Sequence, residues 1–236
     1  VIAGRLYFKV SDTQSYRVDK SGWVSFGPLF NKLSYSGEGA VVYLLKNVSL
    51  DKEITLPAAI TLEGNGYTLT NLAKNKGNML NVTAASGTVN IKNLKLDGGA
   101  AAKGVWNGST LAKDKKAVNL SSEASIVFEN CSFTGVRVEN SNNNDGFVIG
   151  GTSGKDVEFI GNTVITDNIS LGVDDNGFNV GKGGYAIRNG GGSSVTFDGF
   201  VQLYGNYTVS KEDDSTTAKN ETEFHSRNYY SYSTTA

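Results

Sequence analysis

The sequence predicts an all-β solenoid, a chain wound into stacked coils of short strands. Three observations carry that reading. One apolar phrase recurs at residues 60–67, 89–96, 126–133, 157–164 and 195–203, and in register one of its columns holds Leu62, Ile91, Phe128, Phe159 and Phe197. Two residues on, a second column holds only Gly64, Asn93, Asn130, Gly161 and Gly199. A further strand signal precedes the last four copies by about ten residues, at 79–82, 117–120, 147–149 and 185–187. Asn and Gly tolerate a left-handed backbone cheaply, so the second column marks a sharp corner between two strands. The cadence returns about every 30 to 38 residues, a period that means stacked units. Each unit is too small to bury its own apolar side, and stacking aligns the columns into one core.

Composition narrows the function classes. The 236 residues carry a formal net charge of -1, with no basic patch for nucleic acid and no apolar run long enough to insert in a membrane. With one cysteine no disulfide forms within the chain. Cys131 shares the register column of Leu94 and reads as a small buried hydrophobe. One His and one Cys give no zinc set. The 29 glycines with a visible period fit repeated turns. The chain opens on Val1, which reads as a mature, processed chain or an excised fragment. Asn-x-Ser/Thr triplets start at Asn47, Asn81, Asn107, Asn119, Asn130, Asn168, Asn206 and Asn220. All but Asn130, whose corner position explains it, are glycosylation candidates. Their number points mildly to secretion, hence to an extracellular or cell-surface protein.

Residues 1–39 lie outside the cadence and form the N-terminal cap or arm. Stretches 6–10 and 23–26 alternate like half-buried strands, and residues 28–33 would make a helical turn or two with Pro28 at its start. A solenoid end needs a cap. Residues 40–207 form the ladder, opening with a wholly apolar strand at 41–45 followed by strict period-two alternation.

Here the chain resembles a known family. The runs 39–50 and 60–69, with the phrase Thr61-Leu-Glu-Gly-Asn-Gly-Tyr67, look like the opening of pectate-lyase-like domains found in adhesin-like surface proteins. The resemblance covers roughly residues 38–205 and implies a single right-handed parallel β-helix. It does not settle function, because one such ladder serves lyases, tailspikes and adhesins alike.

Polar insertions at 97–116, 134–146 and 166–184 follow the same half of each repeat, so they should emerge along one side. Family lyases use calcium-binding Asp residues with a Lys or Arg base. The nearest material is Asp145, Asp156, Asp167, Asp174, Asp175, Lys182 and Arg188. No lyase motif matches residue by residue, so no catalytic residue is carried over. Calcium is the one ion considered, at Asp174 and Asp175, although Asp174-Asp-Asn-Gly177 is also an ordinary turn sequence. No other cofactor is implied. Trp106, in the first insertion, either covers the ladder or stacks on a sugar.

Residues 208–236 form a polar tail, docked on the solenoid or on a neighbouring subunit. Val1, Ile2, Leu6 and Phe8 at one end, and Tyr229, Tyr230 and Tyr232 at the other, are expected in subunit contacts. The leading functional expectation is a self-assembling surface subunit (fibre, sheath or array) without chemistry of its own. An adhesin or carbohydrate-binding module is the alternative, and a polysaccharide lyase or hydrolase the third.

Overall fold

The computed structural model describes residues 7–11, 15–19, 22–25, 41–44, 47–50, 52–72, 75, 77–99, 115–140, 146–152, 154–174, 177–178, 184–211, 222–226 and 229–231. Among them the regular elements are all strands. The chain enters with β1 (Tyr7–Ser11), β2 (Ser15–Asp19) and β3 (Gly22–Ser25). It then winds. The first turn is β4 (Val41–Leu44), β5 (Val48–Leu50) and β6 (Ile54–Leu56); the second is β7 (Thr61–Glu63), β8 (Thr68–Asn71) and β9 (Leu80–Val82). The third is β10 (Thr88–Lys92), β11 (Lys95–Asp97) and β12 (Val118–Leu120). The fourth is β13 (Ser125–Glu129), β14 (Ser132–Thr134), β15 (Arg137–Asn140) and β16 (Gly146–Gly150). The fifth is β17 (Asp156–Ile165), β18 (Ile169–Asp174), β19 (Gly177–Phe178) and β20 (Tyr185–Asn189). The sixth is β21 (Ser194–Leu203), β22 (Tyr207–Lys211), β23 (Thr222–Ser226) and β24 (Tyr229–Ser231).

Each strand of a turn pairs in parallel with its counterpart in the next, which makes the stack consistent with a β-solenoid. Face A runs β4-β7-β10-β13-β17-β21, face B runs β5-β8-β11-β14-β17-β21, and face C runs β6-β9-β12-β16-β20-β24. In the last two turns a single ten-residue strand bends through the corner and serves faces A and B together.

Period-two alternation sends one set of side chains inward and makes the core. On face A the inward column is Val42, Leu62, Ile91, Phe128, Phe159 and Phe197, in the register the sequence predicts. On face B it is Val48, Leu69, Leu96, Phe133, Ile165 and Leu203. On face C it is Ile54, Leu80, Val118, Ile149 and Ile187. Phe128 stacks on Phe159 with ring centroids 5.3 Å apart and meets Phe133 edge-on at 5.1 Å. Cys131 lies in the column of Leu94 and is 1% exposed, as expected of a buried hydrophobe.

The corner between faces A and B falls where the Gly/Asn column predicts. Asn93, Asn130, Gly161 and Gly199 have φ of 51°, 52°, 66° and 101°. Gly64 departs from the column. The left-handed residues of its turn are Asn65 (φ 51°) and Gly66 (φ 76°). Gly64 is demanded instead by close approach, since a Cβ there would lie 2.5 Å from the Asn93 carbonyl oxygen. Phe197 also departs. It was expected inside the solenoid and is 40% exposed, because β21 is the last rung of faces A and B among the described residues.

The insertions do leave from one side, between faces B and C, but two of them are partly ladder rather than loop. β15, β18 and β22 stack in parallel as a fourth sheet. The tail is likewise drawn into the coil. β23 pairs antiparallel with β22, and β24 lies parallel on β20, completing face C of the sixth turn. At the other end β1 adds a parallel rung to β4, and β2 and β3 follow antiparallel. The helical turn expected at 28–33 lies outside the described residues.

Candidate functional site: an amide-lined groove

Outward side chains on either side of the A/B corner face one another across a groove. On face A the outward column beside the corner is Tyr43, Glu63, Lys92 and Glu129. On face B it is Thr68, Lys95, Ser132 and Val164. The corner supplies Asn65, Asn93, Asn130 and Asn162. Of these, Tyr43, Glu63, Asn65, Asn93, Lys95, Asn130, Ser132, Asn162 and Val164 line a cleft of about 620 Å³, within the size range of small-ligand sites.

A ladder of polar contacts runs along its floor. The Asn93 amide nitrogen donates to both Glu63 carboxylate oxygens, at 3.0 and 3.1 Å. The Asn130 amide donates to Asn93 Oδ1 at 3.4 Å, and the Asn162 backbone N–H donates to Asn130 Oδ1 at 2.9 Å. Asn65 donates its backbone N–H to Glu63 and its side-chain amide to the Leu44 carbonyl. Lys92 and Glu129 close an ion pair at 2.6 Å across one strand spacing; half-exposed on both sides, it adds under about 1 kcal/mol. The side chains of Lys95, Ser132 and Asn162 make no hydrogen bond or ion pair among the described residues. Beneath the groove, burial pushes the Cys131 thiol up to about 12, against hydrogen bonds that favour ionisation. It is therefore a protonated, inert thiol rather than a nucleophile.

Two further amide networks stabilise the coil. Glu53 accepts from the Asn78 backbone and side chain and from Asn81, which in turn accepts from Asn119. Inside the coil, the fully buried Asn168 donates to Phe133 O and Asn206 Oδ1 and accepts from the Val136 N–H. Asn206 donates to the Ile165 and Tyr204 carbonyls.

These networks correct part of the glycosylation expectation. Asn168 and Asn206 are 0% exposed with their amide nitrogens committed inside, so a folded chain cannot present them. Asn81 and Asn119 are half-buried and tied to each other, while Asn47 is exposed. Asn107 and Asn220 lie outside the described residues.

The remaining sequence candidates that are described stand at separate places in the coil. Asp174 pairs antiparallel with Gly177 where β18 meets β19. Asp156 is exposed at the start of β17, Asp167 sits at the corner leading to β18 with φ 56°, and Arg188 is half-buried in β20. Asp145, Asp175, Lys182 and Trp106 lie outside the described residues. Among those that are described, no group of three or more His, Cys, Asp or Glu is arranged to hold a metal ion. Of the expected subunit-contact residues, Phe8 stands opposite Val42 in β1, and Tyr229 and Tyr230 stand opposite Ile187 and Arg188 in β24. Val1, Ile2, Leu6 and Tyr232 fall outside.

Sequence reasoning missed Tyr43, Glu63, Asn65, Lys95 and Asn162. The signal was present: each is an outward neighbour of the corner column, which the reading used only for backbone shape. No protein-family model matches the chain, and neither a curated protein nor a solved structure gives a significant match.

Proposed function

We propose that the protein is an extracellular structural subunit, built on a right-handed parallel β-helix of the pectate-lyase-like kind, that works by joining to other copies rather than by chemistry of its own. The right-handed reading is supported by the general preference of parallel crossover connections for that hand. The family reading rests on the residue pattern at 39–50 and 60–69.

One observation carries assembly. β21 is a ten-residue strand that pairs only with β17 among the described residues, and Phe197 and Tyr204 are 40% and 54% exposed on or beside it. A long, apolar strand edge is a template for another chain. The other end of the coil offers a matching element. Face B begins at β5 with Val48 in the same inward column that ends at Leu203, so a translated copy continues the column. Head-to-tail contacts of this kind do not close and give filaments. The expected result is a concentration-dependent rise in mass by light scattering. Leu203→Lys, an inward-pointing charge on the face B stretch of that edge, should abolish that rise while leaving the circular dichroism spectrum intact. A wild-type chain that stays monomeric at every concentration, or a variant that assembles unchanged, refutes the proposal.

A further inference from the structure

We infer that the edge of β4 is a docking surface for β21 of another copy of this chain, held shut by β1, which must be displaced before copies join end to end. The inference rests on the assembly reading and adds the step that controls it. The two ends of the coil do not match as they stand. At the far end β21 bends through the corner and closes faces A and B at one level. At the near end β4 and β5 open the same two faces within one turn. There β5 and β6 have no preceding rung among the described residues, whereas β4 carries β1, followed by β2 and β3. Face A therefore extends three strand spacings, about 14 Å, beyond faces B and C at that end.

That step creates a conflict. Residues 202–203 of one copy reach β5 of the next only if residues 195–198 arrive at the edge of β4, because both stretches belong to one strand. β1 already fills that edge. Each backbone N–H and C=O along it serves one strand, so the seated and the joined states exclude each other.

β1 also shows what the edge accepts. It lies parallel to β4 with Phe8 opposite Val42. The column of Val42 runs through every turn and ends at Phe197 in β21, again on a parallel strand. β1 is thus an internal stand-in for β21 of another copy, with the same direction, the same register and a phenylalanine in the same place. The exchange favours the incoming strand. β1 pairs with β4 over residues 7–10, on one face. β21 meets β4 on face A and β5 on face B together, sets Phe197 against Val42 and Leu203 against Val48, and covers a ring that is 40% exposed in the single chain. Only the fraction of copies with β1 displaced accepts a neighbour, so the apparent affinity of assembly is lowered by that fraction.

The test locks β1 in place in the full chain. Lys9 and Tyr43 are register partners on β1 and β4. In the chain carrying Lys9→Cys and Tyr43→Cys, mild oxidation should join both introduced thiols within the monomer, seen as their loss to a thiol reagent. Cys131 is buried and takes no part. Light scattering is then followed against concentration for the reduced and the oxidised protein. The reduced protein should assemble like wild type, and the oxidised protein should stay monomeric even at about ten times the reduced protein's threshold. Phe8→Lys sets a charge in the column of Val42, loosens β1 and should lower the threshold about tenfold. Circular dichroism checks that each variant keeps its strand content. Oxidised protein that assembles as readily as reduced overturns the inference and leaves the assembly reading standing. So does failure of the introduced thiols to join, or a threshold that Phe8→Lys does not lower. Wild-type and reduced proteins that stay monomeric throughout remove the assembly reading, and this inference with it.

Discussion

Strands β17 and β21 make the same fold statement in different surroundings. They pair residue for residue over their whole length, with Phe159 opposite Phe197, Gly161 opposite Gly199 and Ile165 opposite Leu203. Val157, Phe159 and Ile165 are 0–1% exposed. In β21, Val195 and Leu203 are only partly buried and Phe197 is 40% exposed. The difference is not in the strands but in what lies beyond them. β17 has β13 and β14 on one side and β21 on the other, while β21 has a described neighbour on one side only. Apolar alternation says which way a side chain points. It does not say whether a next rung arrives to cover it.

The largest test of this contrast is a matched pair of truncations. Phe128→Ala removes a fully buried ring that touches Phe133 and Phe159, and should cost about 3–5 kcal/mol in denaturant melts. Phe197→Ala removes a ring that is already 40% exposed and should cost clearly less, about 2 kcal/mol, the stack on Phe159 included. Equal losses would mean that both ends of the column are equally covered.

The same contrast explains how much could be read from sequence. The column from Leu62 to Phe197 was legible because each turn repeats it in one register. The corner was legible because Asn93, Asn130, Gly161 and Gly199 need φ > 0. Gly64 was misread because a close approach to Asn93 leaves the same mark in a sequence as a left-handed backbone. β15 and β18 were taken for insertions and β22 for the start of the polar tail, since strands that join only in the later turns have no earlier copies to reveal a period. β24 is three residues long, too short to alternate, and its face is visible only once β20 lies beside it. Of the groove, only the backbone role of its asparagines was readable. Their contacts with Glu63 cross one turn and depend on stacking.

Next in size is the buried amide ladder. Asn168→Ala strips partners from Phe133 O, Asn206 and the Val136 N–H inside the coil and should cost about 3 kcal/mol. Asn47→Ala, at an exposed site, loses only the bond from the Thr68 N–H and should cost no more than about 1 kcal/mol. If chemical unfolding gives similar values for the two, Asn168 is not the internal tie described.

A smaller effect separates conformation from space at the corner. A Cβ on Gly161 would reach the end of the Asn130 side chain, which can swing away at the expense of its bond from the Asn162 N–H. Gly161→Asn and Gly161→Val both meet that atom, but only Val strongly resists φ near 66°. Val should therefore be worse by about 2 kcal/mol. Equal stability of the two would assign the whole cost to crowding.

The last effect is one of pH, absent at neutrality, and it reads the sealing of the middle turns directly. Cys131, Thr163 and Val201 occupy one column, buried in the fourth and fifth turns and part-exposed in the sixth. Burial raises the Cys131 thiol from 9.0 to about 12. Below pH 9 the thiol is protonated in folded and unfolded chains alike, so nothing changes. Between about 9 and 12 the unfolded chain sheds its proton while the folded one keeps it, so stability falls by up to about 1.4 kcal/mol per pH unit. Other groups titrate there too, and Cys131→Ala subtracts them: the stability advantage of wild type over that variant should shrink steadily as pH climbs above 9. In folded protein at pH 8 an aromatic disulfide reagent should label Cys131 only at the rate of unfolding. Val201→Cys, placed in the Cys131→Ala chain, should react at once like an ordinary thiol. A flat wild-type advantage across that range, together with prompt labelling of Cys131, would place water beside the fourth turn and erase the distinction between the sealed middle of the coil and its open end.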